Sequence, residues 1–174
     1  MTAPDVALRP MTEADVRRRD EHRLELDPEL LALNGQTPAT ASWRDAESEL
    51  LALWAAWAAG TRLDWTIFSP DGLDLGAVSL SSIDRARGWA ELEIGIYRKA
   101  WWNRGVGRLA IAHALSGLAN ELGPGARPTL VRALTLPTNA RARRCFEACG
   151  FALRGPTTDR QFPGVEFLLY ERTI

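Results

Sequence analysis

A strand, a glycine-bearing loop and a helix follow one another without interruption from Trp89 to Leu122, and this succession limits the architectures open to the chain. From Trp89 to Tyr97 the side chains alternate, with Ala90, Leu92, Ile94 and Ile96 on one side and Trp89, Glu91, Glu93, Gly95 and Tyr97 on the other. A period of two predicts a strand with one buried and one polar face. Arg98 to Gly107 is a loop carrying Gly105 and Gly107. Val106, Ile111, Leu115, Leu118 and Leu122 then mark a helix, which Gly123-Pro124-Gly125 stops. Glycines at a helix entrance let backbone N–H groups converge on one point, where the unpaired donors and the helix dipole favour a phosphate or pyrophosphate. Arg104 and Arg108 add positive charge. A tight turn without a ligand has the same composition, so both readings stand at this point.

The rest of the chain sets this unit in a mixed α/β layer fold, read as one domain over residues 1–174. Val6 to Arg9 is a first strand, and Thr12-Glu13-Ala14-Asp15 resembles a capping box with Asp at its last position. A helix follows, restarted at Asp27-Pro28. Ser42 caps a helix whose apolar stripe is Trp43, Ala46, Leu50, Leu53/Trp54 and Trp57, ending at Gly60. Asp64 to Ser69 and Leu75 to Ile83 are strands around a Ser69-Pro70-Asp71-Gly72 turn, and they form a meander with Trp89 to Tyr97. Leu130 to Leu136 is the next strand. Thr138 or Asn139 caps a helix with Ala142, Cys145, Phe146 and Cys149 on its apolar face, and Gly150 occupies its left-handed C-cap. Phe151 to Arg154 and Val165 to Glu171 close the chain as antiparallel strands around Pro163-Gly164. The expected order is β-α-α-β-β-β-α-β-α-β-β.

Several function classes are disfavoured. Gly105-x-Gly107-x-x-Ala110 matches a loose dinucleotide fingerprint, but the loop after Tyr97 is too long for a tight first turn and no acidic residue ends the next strand. No Gly-Lys-Ser/Thr follows the glycines, and no Gly-x-Ser-x-Gly elbow is present. Cys145 and Cys149 share a helix face, where they act as small apolar groups, and with His22 and His113 they give no metal-ligand spacing, so no metal is expected. The net charge of −1 argues against nucleic acid or an acidic membrane as partner. The N-terminus carries early charges and no long apolar run, which predicts a cytoplasmic protein without a signal or membrane span.

The run from Ala90 to Tyr97, then Trp102-Asn103-Arg104-Gly105-Val106-Gly107, resembles the central strand and pyrophosphate loop of the GNAT acetyltransferases, whose loop pattern is Gln/Arg-x-x-Gly-x-Gly/Ala. Asn139 to Phe151 is similar to the family's second signature, in which Asn-x-x-Ser/Ala precedes an aromatic and then Gly-Phe. Leu8 to Asp15 and Leu168 to Arg172 also look like the ribosomal-protein N-terminal acetyltransferase (RimJ/RimL-like) branch. The resemblance implies a mostly antiparallel mixed sheet with helices on both faces and a splayed central strand. It implies acetyl-CoA as co-substrate, with pantetheine bonded to the strand backbone at Ile96 and Tyr97. Asn103, Arg104, Gly105, Val106, Gly107 and Arg108 form the pyrophosphate loop by the same resemblance; Asn139 faces the pantetheine arm and Phe146 lies near the thioester sulfur. The chain departs from the pattern twice. Trp102 stands at the Gln/Arg position, and Phe146 stands where many members have a tyrosine that protonates the departing thiolate.

Attack of an amine on a thioester needs deprotonation, an oxyanion stabiliser and positioning. Glu91 and Glu93 share one strand face and are the candidate bases, with Glu93 slightly preferred; a bulge in the strand would change which of them faces the cleft. A solvated strand face would look the same. His113 reads as a surface or boundary residue, and His22 as a minor candidate for a substrate role. Trp101 and Trp102 cannot face the same way, so one is expected at the cofactor mouth and the other in packing. The expected activity is direct acetyl transfer to a primary amine, either a protein N-terminus or a small molecule, with no acyl-enzyme and with a homodimer possible. Aminoglycoside acetylation is a rival within this class, since Glu25, Asp27, Glu29, Glu47 and Glu49 offer an acidic surface. A CoA-binding interaction module that has lost catalysis is the alternative, supported by Phe146.

Overall fold

A computed structural model describes residues 5–22, 27–33, 46–122, 128–159 and 162–174. Its strands are β1 (Ala7–Pro10), β2 (Leu63–Phe68), β3 (Asp74–Asp84), β4 (Trp89–Ile96), β5 (Leu130–Thr135), β6 (Ala152–Thr158) and β7 (Glu166–Thr173). Its helices are α1 (Glu13–His22), α2 (Pro28–Leu33), α3 (Ala46–Ala58), α4 (Val106–Glu121) and α5 (Ala140–Ala148). The first helix, expected to restart at Asp27-Pro28, is the pair α1 and α2, and α3 follows them. The predicted Ser42 cap, Trp43 and the Gly123-Pro124-Gly125 stop lie outside the described residues.

The strands form one seven-stranded sheet in the order β1-β2-β3-β4-β5-β7-β6. All its pairings are antiparallel except β4 with β5. Alternation along the strands separates two faces. Trp65 and Ile67, Val78 and Leu80, Ala90 and Leu92, and Val131 and Ala133 meet Val106, Ala110, Ile111, Ala114 and Leu118 of α4 and Phe146 of α5 in the main core. On the other face α1 and α3 join through Val16, Leu50, Leu53, Met11 and Trp57. Trp54, placed in the core stripe by its spacing, is 39% exposed; Leu50 and Leu53 take the inner face instead.

Local chemistry explains two of the helix ends that matter. Asp15 accepts from the Thr12 N–H at 2.9 Å, the backward half of a capping box, and the Thr12 hydroxyl donates to Asp15 as well. Burial pushes this fully enclosed carboxyl up, but bonds from Arg9 and Thr12 outweigh it and hold Asp15 down at about 2. At the end of α5, Gly150 has φ +79; its N–H reaches the Glu147 carbonyl at 3.0 Å and the Phe151 N–H reaches the Phe146 carbonyl at 3.0 Å. This is a Schellman motif, and the Phe146 and Phe151 rings make its accompanying apolar contact, with centroids 5.8 Å apart.

Candidate active site

The site begins where the sheet fails to close. β4 and β5 pair only at Trp89–Leu130, Ala90–Val131 and Glu91–Arg132. Beyond that point β4 stays paired to β3 as far as Ile96, while β5 follows β7 to Thr135. The two parallel strands therefore part towards their C-terminal ends. The Tyr97 N–H donates to the Leu75 carbonyl of β3 at 2.8 Å, so by alternation the N–H and C=O groups of Ile94 and Ile96 face the gap. Of the two residues expected to offer backbone there, Ile96 is turned to the gap and the Tyr97 N–H away from it. The Ile96 carbonyl accepts from the Trp102 indole N–H at 2.7 Å.

The glycine loop stands at the mouth of this gap. Lys99–Trp101 make one 3-10 turn. Asn103 (φ +59) and Gly105 (φ +86) then adopt left-handed backbone, and Gly105 is the N-cap of α4. Glycine has no side-chain oxygen with which to cap a helix, so the first-turn amides of Val106, Gly107 and Arg108 are left to an anion or solvent. Arg104 and Arg108 are exposed beside them. Gly107 serves packing as well: a Cβ there would lie 3.1 Å from Cys145 Sγ and 3.7 Å from Ile94 Cδ1. Of the adjacent tryptophans, Trp101 packs against the main core and Trp102 lies at the mouth.

The α5 side supplies Asn139 and Phe146. Asn139 Oδ1 caps α5 by accepting from the Ala142 N–H at 3.1 Å, and its Nδ2 lies 3.5 Å from the Leu33 carbonyl of α2. Phe146 is 2% exposed and packed against Phe151 and Tyr170. The Tyr170 hydroxyl donates to Glu147 Oε1 at 3.0 Å and is thereby engaged on α5. The cysteines are half-buried; hydrogen bonding to Cys149 and burial raise the Cys145 thiol, while the Cys145 bond, Arg172 and Arg108 bring Cys149 down to about 7.

Glu91 and Glu93 do lie on one face of β4. The irregularity between β3 and β4 falls on β3, where Ser82 takes φ +48, so the alternation of β4 is preserved. Their surroundings differ, and they favour Glu91 over Glu93 as the candidate base. Glu93 accepts from Arg62 Nη2 at 2.9 Å and from the Ser81 hydroxyl, and Arg62 is itself anchored by Asp64, which also binds the Trp57 indole at 2.8 Å. The Glu91 carboxylate makes no hydrogen bond or ion pair among the described residues; its register neighbour Arg132 pairs with Glu171 at 3.1 Å. Burial raises the Glu91 carboxyl, the charges of Glu93 and Asp159 raise it further, and Arg132 opposes them. A carboxyl with a raised pKa beside the gap suits proton transfer near neutral pH better than one committed to an arginine.

These features carry a definite relationship. The model of the acetyltransferase (GNAT) domain matches residues 5–152. The chain belongs to this family. A comparison with curated proteins returned no match. Among solved structures, it resembles RimL, a ribosomal L7/L12 alpha-N-protein acetyltransferase in complex with coenzyme A, at TM-score 0.80 and 14% identity over 100% of this chain and 97% of that one. The spermidine N-acetyltransferase from Vibrio cholerae, in complex with CoA and spermine, matches at TM-score 0.75 and 16% identity, over 97% and 95% of the two chains. An aminoglycoside acetyltransferase in complex with coenzyme A matches at TM-score 0.71 and 20% identity, over 97% and 95%. The co-substrate of this GNAT chain is acetyl-CoA. The gap, the uncapped α4 entrance and the two exposed arginines fit that group.

Sequence reasoning missed Arg62 and Asp64, the pair that makes the surroundings of Glu93 differ from those of Glu91. Only the register of β2 on β3, Asp64 opposite Ser79, brings them to this face. His113 is exposed, edge-on to Trp65 of β2 at 5.7 Å and two strands from the gap. The His22 side chain lies outside the described residues. Among the described residues there is no metal-binding cluster and no helix long and apolar enough to cross a membrane.

The enclosure of Phe146 predicts the effect of restoring the family's tyrosine. Phe146→Tyr adds a hydroxyl to a ring packed between Phe151 and Tyr170. Without a partner it costs about 1–3 kcal/mol. The expected result is a lower melting temperature with unchanged or reduced kcat; a tenfold gain in kcat at constant Tm would show that the hydroxyl reaches the sulfur of the thioester.

Proposed function

We propose that this GNAT protein transfers acetyl from acetyl-CoA directly to a primary amine, on a protein N-terminus or a small molecule, with Glu91 as the base. The observation that carries the proposal is the parting of β4 and β5 beside the glycine loop, with Glu91 at the last paired position. Acetyl-CoA, when bound, supplies an acyl thioester. The amides of Val106, Gly107 and Arg108, with Arg104, Arg108 and the turn at Asn103 and Gly105, would hold its pyrophosphate. The gap-facing backbone of Ile94 and Ile96 and the Asn139 side chain would meet the pantetheine arm, with Phe146 packing towards the sulfur end. Glu91, directly or through one water, takes the proton that the attacking amine gives up, and solvent returns a proton to the departing thiolate. A thiol near pKa 8.5 is a good enough leaving group to need no dedicated acid.

The terminal motifs and the likeness to RimL support the ribosomal-protein N-terminal branch; a cytoplasmic setting and a homodimer are further parts of the proposal. Aminoglycosides fit less well. Asp27 and Glu29 are paired with Lys99, and Glu47 with Arg17, so much of the acidic surface is already neutralised. Glu25 lies outside the described residues. Direct transfer predicts intersecting lines in two-substrate initial-rate plots; parallel lines would require an acyl-enzyme and contradict the mechanism.

A further inference from the structure

We propose that Glu29 is a positioning residue for the cofactor, joining the two lips of the β4–β5 gap through one ionic clasp. The clasp rests on the reading that this gap receives pantetheine. One lip is the end of β4 and the turn after it, which carries Lys99. The other is the end of β5 and the start of α5, which carries Asn139 and Arg141.

Helix α2 spans both lips. Lys99 Nζ lies 2.9 Å from Glu29 Oε2 and 3.0 Å from Asp27 Oδ1, and Arg141 Nη2 lies 3.6 Å from Glu29 Oε1. Each oxygen of one carboxylate therefore faces a cation from a different lip. Asn139 adds a third tie, its Nδ2 lying 3.5 Å from the Leu33 carbonyl, and Leu30 and Leu31 seat the helix by burial. The contacts continue inward. The Arg141 guanidinium sits 3.5 Å from the centroid of the Trp102 ring, and the indole of Trp102 holds the gap-facing Ile96 carbonyl at 2.7 Å. A chain of direct contacts thus runs from Glu29 to a backbone acceptor that a pantetheine amide would also use.

The arrangement has a definite mechanical meaning. Lys99 is the single lysine of the chain, and it is spent on α2. Removing the Glu29 charge takes the ionic partner from Arg141 and leaves Lys99 with Asp27 alone, which loosens the hold of α2 on both lips and the support of the stacked Trp102. A cofactor threaded between the lips then leaves faster. The half-exposed pairs are individually weak and screened by salt, so the expected effect is moderate.

The test measures dissociation of a fluorescent CoA analogue, chased with excess acetyl-CoA, in full-length wild type, Glu29→Gln, Lys99→Met and Lys99→Arg. Hydrogen exchange of the α2 amides is followed in the same proteins. Glu29→Gln and Lys99→Met should release the analogue about three- to tenfold faster, and KM for acetyl-CoA should rise with kcat little changed. Lys99→Arg should behave as wild type, and high salt should bring wild type close to Glu29→Gln. α2 exchange should accelerate in step. Unchanged release and unchanged α2 exchange in folded Glu29→Gln would overturn the clasp. If wild type binds no analogue, the reading of the gap fails separately, and α2 exchange alone then decides whether Glu29 holds the helix.

Discussion

Replacing Glu91 with Gln should lower kcat/KM by about 10²-fold or more while leaving acetyl-CoA affinity nearly unchanged. The carboxyl lies on the polar face of β4 at the last point where β4 and β5 touch. Burial raises its pKa, Glu93 and Asp159 add to the rise, and Arg132 opposes it. The rate should therefore fall on the acid side of neutrality with an apparent pKa above the ordinary carboxylate range, and Glu91→Gln should erase that limb. Stability moves the other way. A carboxyl raised in the folded state binds its proton more tightly there than in the unfolded chain, so its stabilising contribution is present at low pH and lost as pH rises through the folded pKa. At neutral pH Glu91→Gln should accordingly melt at or above the wild-type temperature. Glu93→Gln is expected to do less to the rate and more to stability, because it leaves Arg62 with one carboxylate partner fewer. A larger rate loss in Glu93→Gln than in Glu91→Gln would move the base to Glu93.

Gly105→Val should weaken acetyl-CoA binding at least about tenfold, a loss of about 1.4 kcal/mol or more. Gly105 holds φ +86, which a β-branched residue adopts only with strain, and it sets the direction of the first amides of α4. Relaxing the strain turns those amides away from their common focus, and the helix's preference for an anion goes with them. Gly107 is a poorer probe than its place in the motif suggests. A Cβ there meets Cys145 at 3.1 Å, so Gly107→Val disturbs the contact between α4 and α5 and confuses lost binding with lost packing. Calorimetric titration of Gly105→Val, with its circular dichroism spectrum as the folding control, makes the test; wild-type affinity in a folded protein would remove the loop from the cofactor site.

Much of this was legible in the chain because it depends on local chemistry. The alternation of Trp89 to Tyr97, the turn glycines and the Asn139 and Gly150 caps are all set by residues within a few positions of one another, and β4 and α5 form within a residue or two of their expected bounds. What stayed hidden depends on register and on contacts distant in sequence. Nothing within reach of Glu93 announces Arg62, which arrives from the residue before β2, two strands away. Nothing in Asp27-Pro28-Glu29 announces Lys99 and Arg141, which the splayed strands bring to it from two separate elements. Trp54 followed helical spacing in the sequence but lies on the outer side of α3, because a single face cannot hold both Leu53 and its immediate neighbour.

Acetyl transfer to an amine is tested by release of free thiol from acetyl-CoA by the wild-type protein across a panel of primary amines. The panel should contain N-terminal peptides, polyamines and an aminoglycoside, with acetyl-CoA binding measured in parallel. Amine-dependent thiol release is expected with at least one member, matched by acetylated product and strongly reduced in Glu91→Gln. Firm acetyl-CoA binding with no turnover on any amine would contradict it and leave a CoA-binding interaction module in its place.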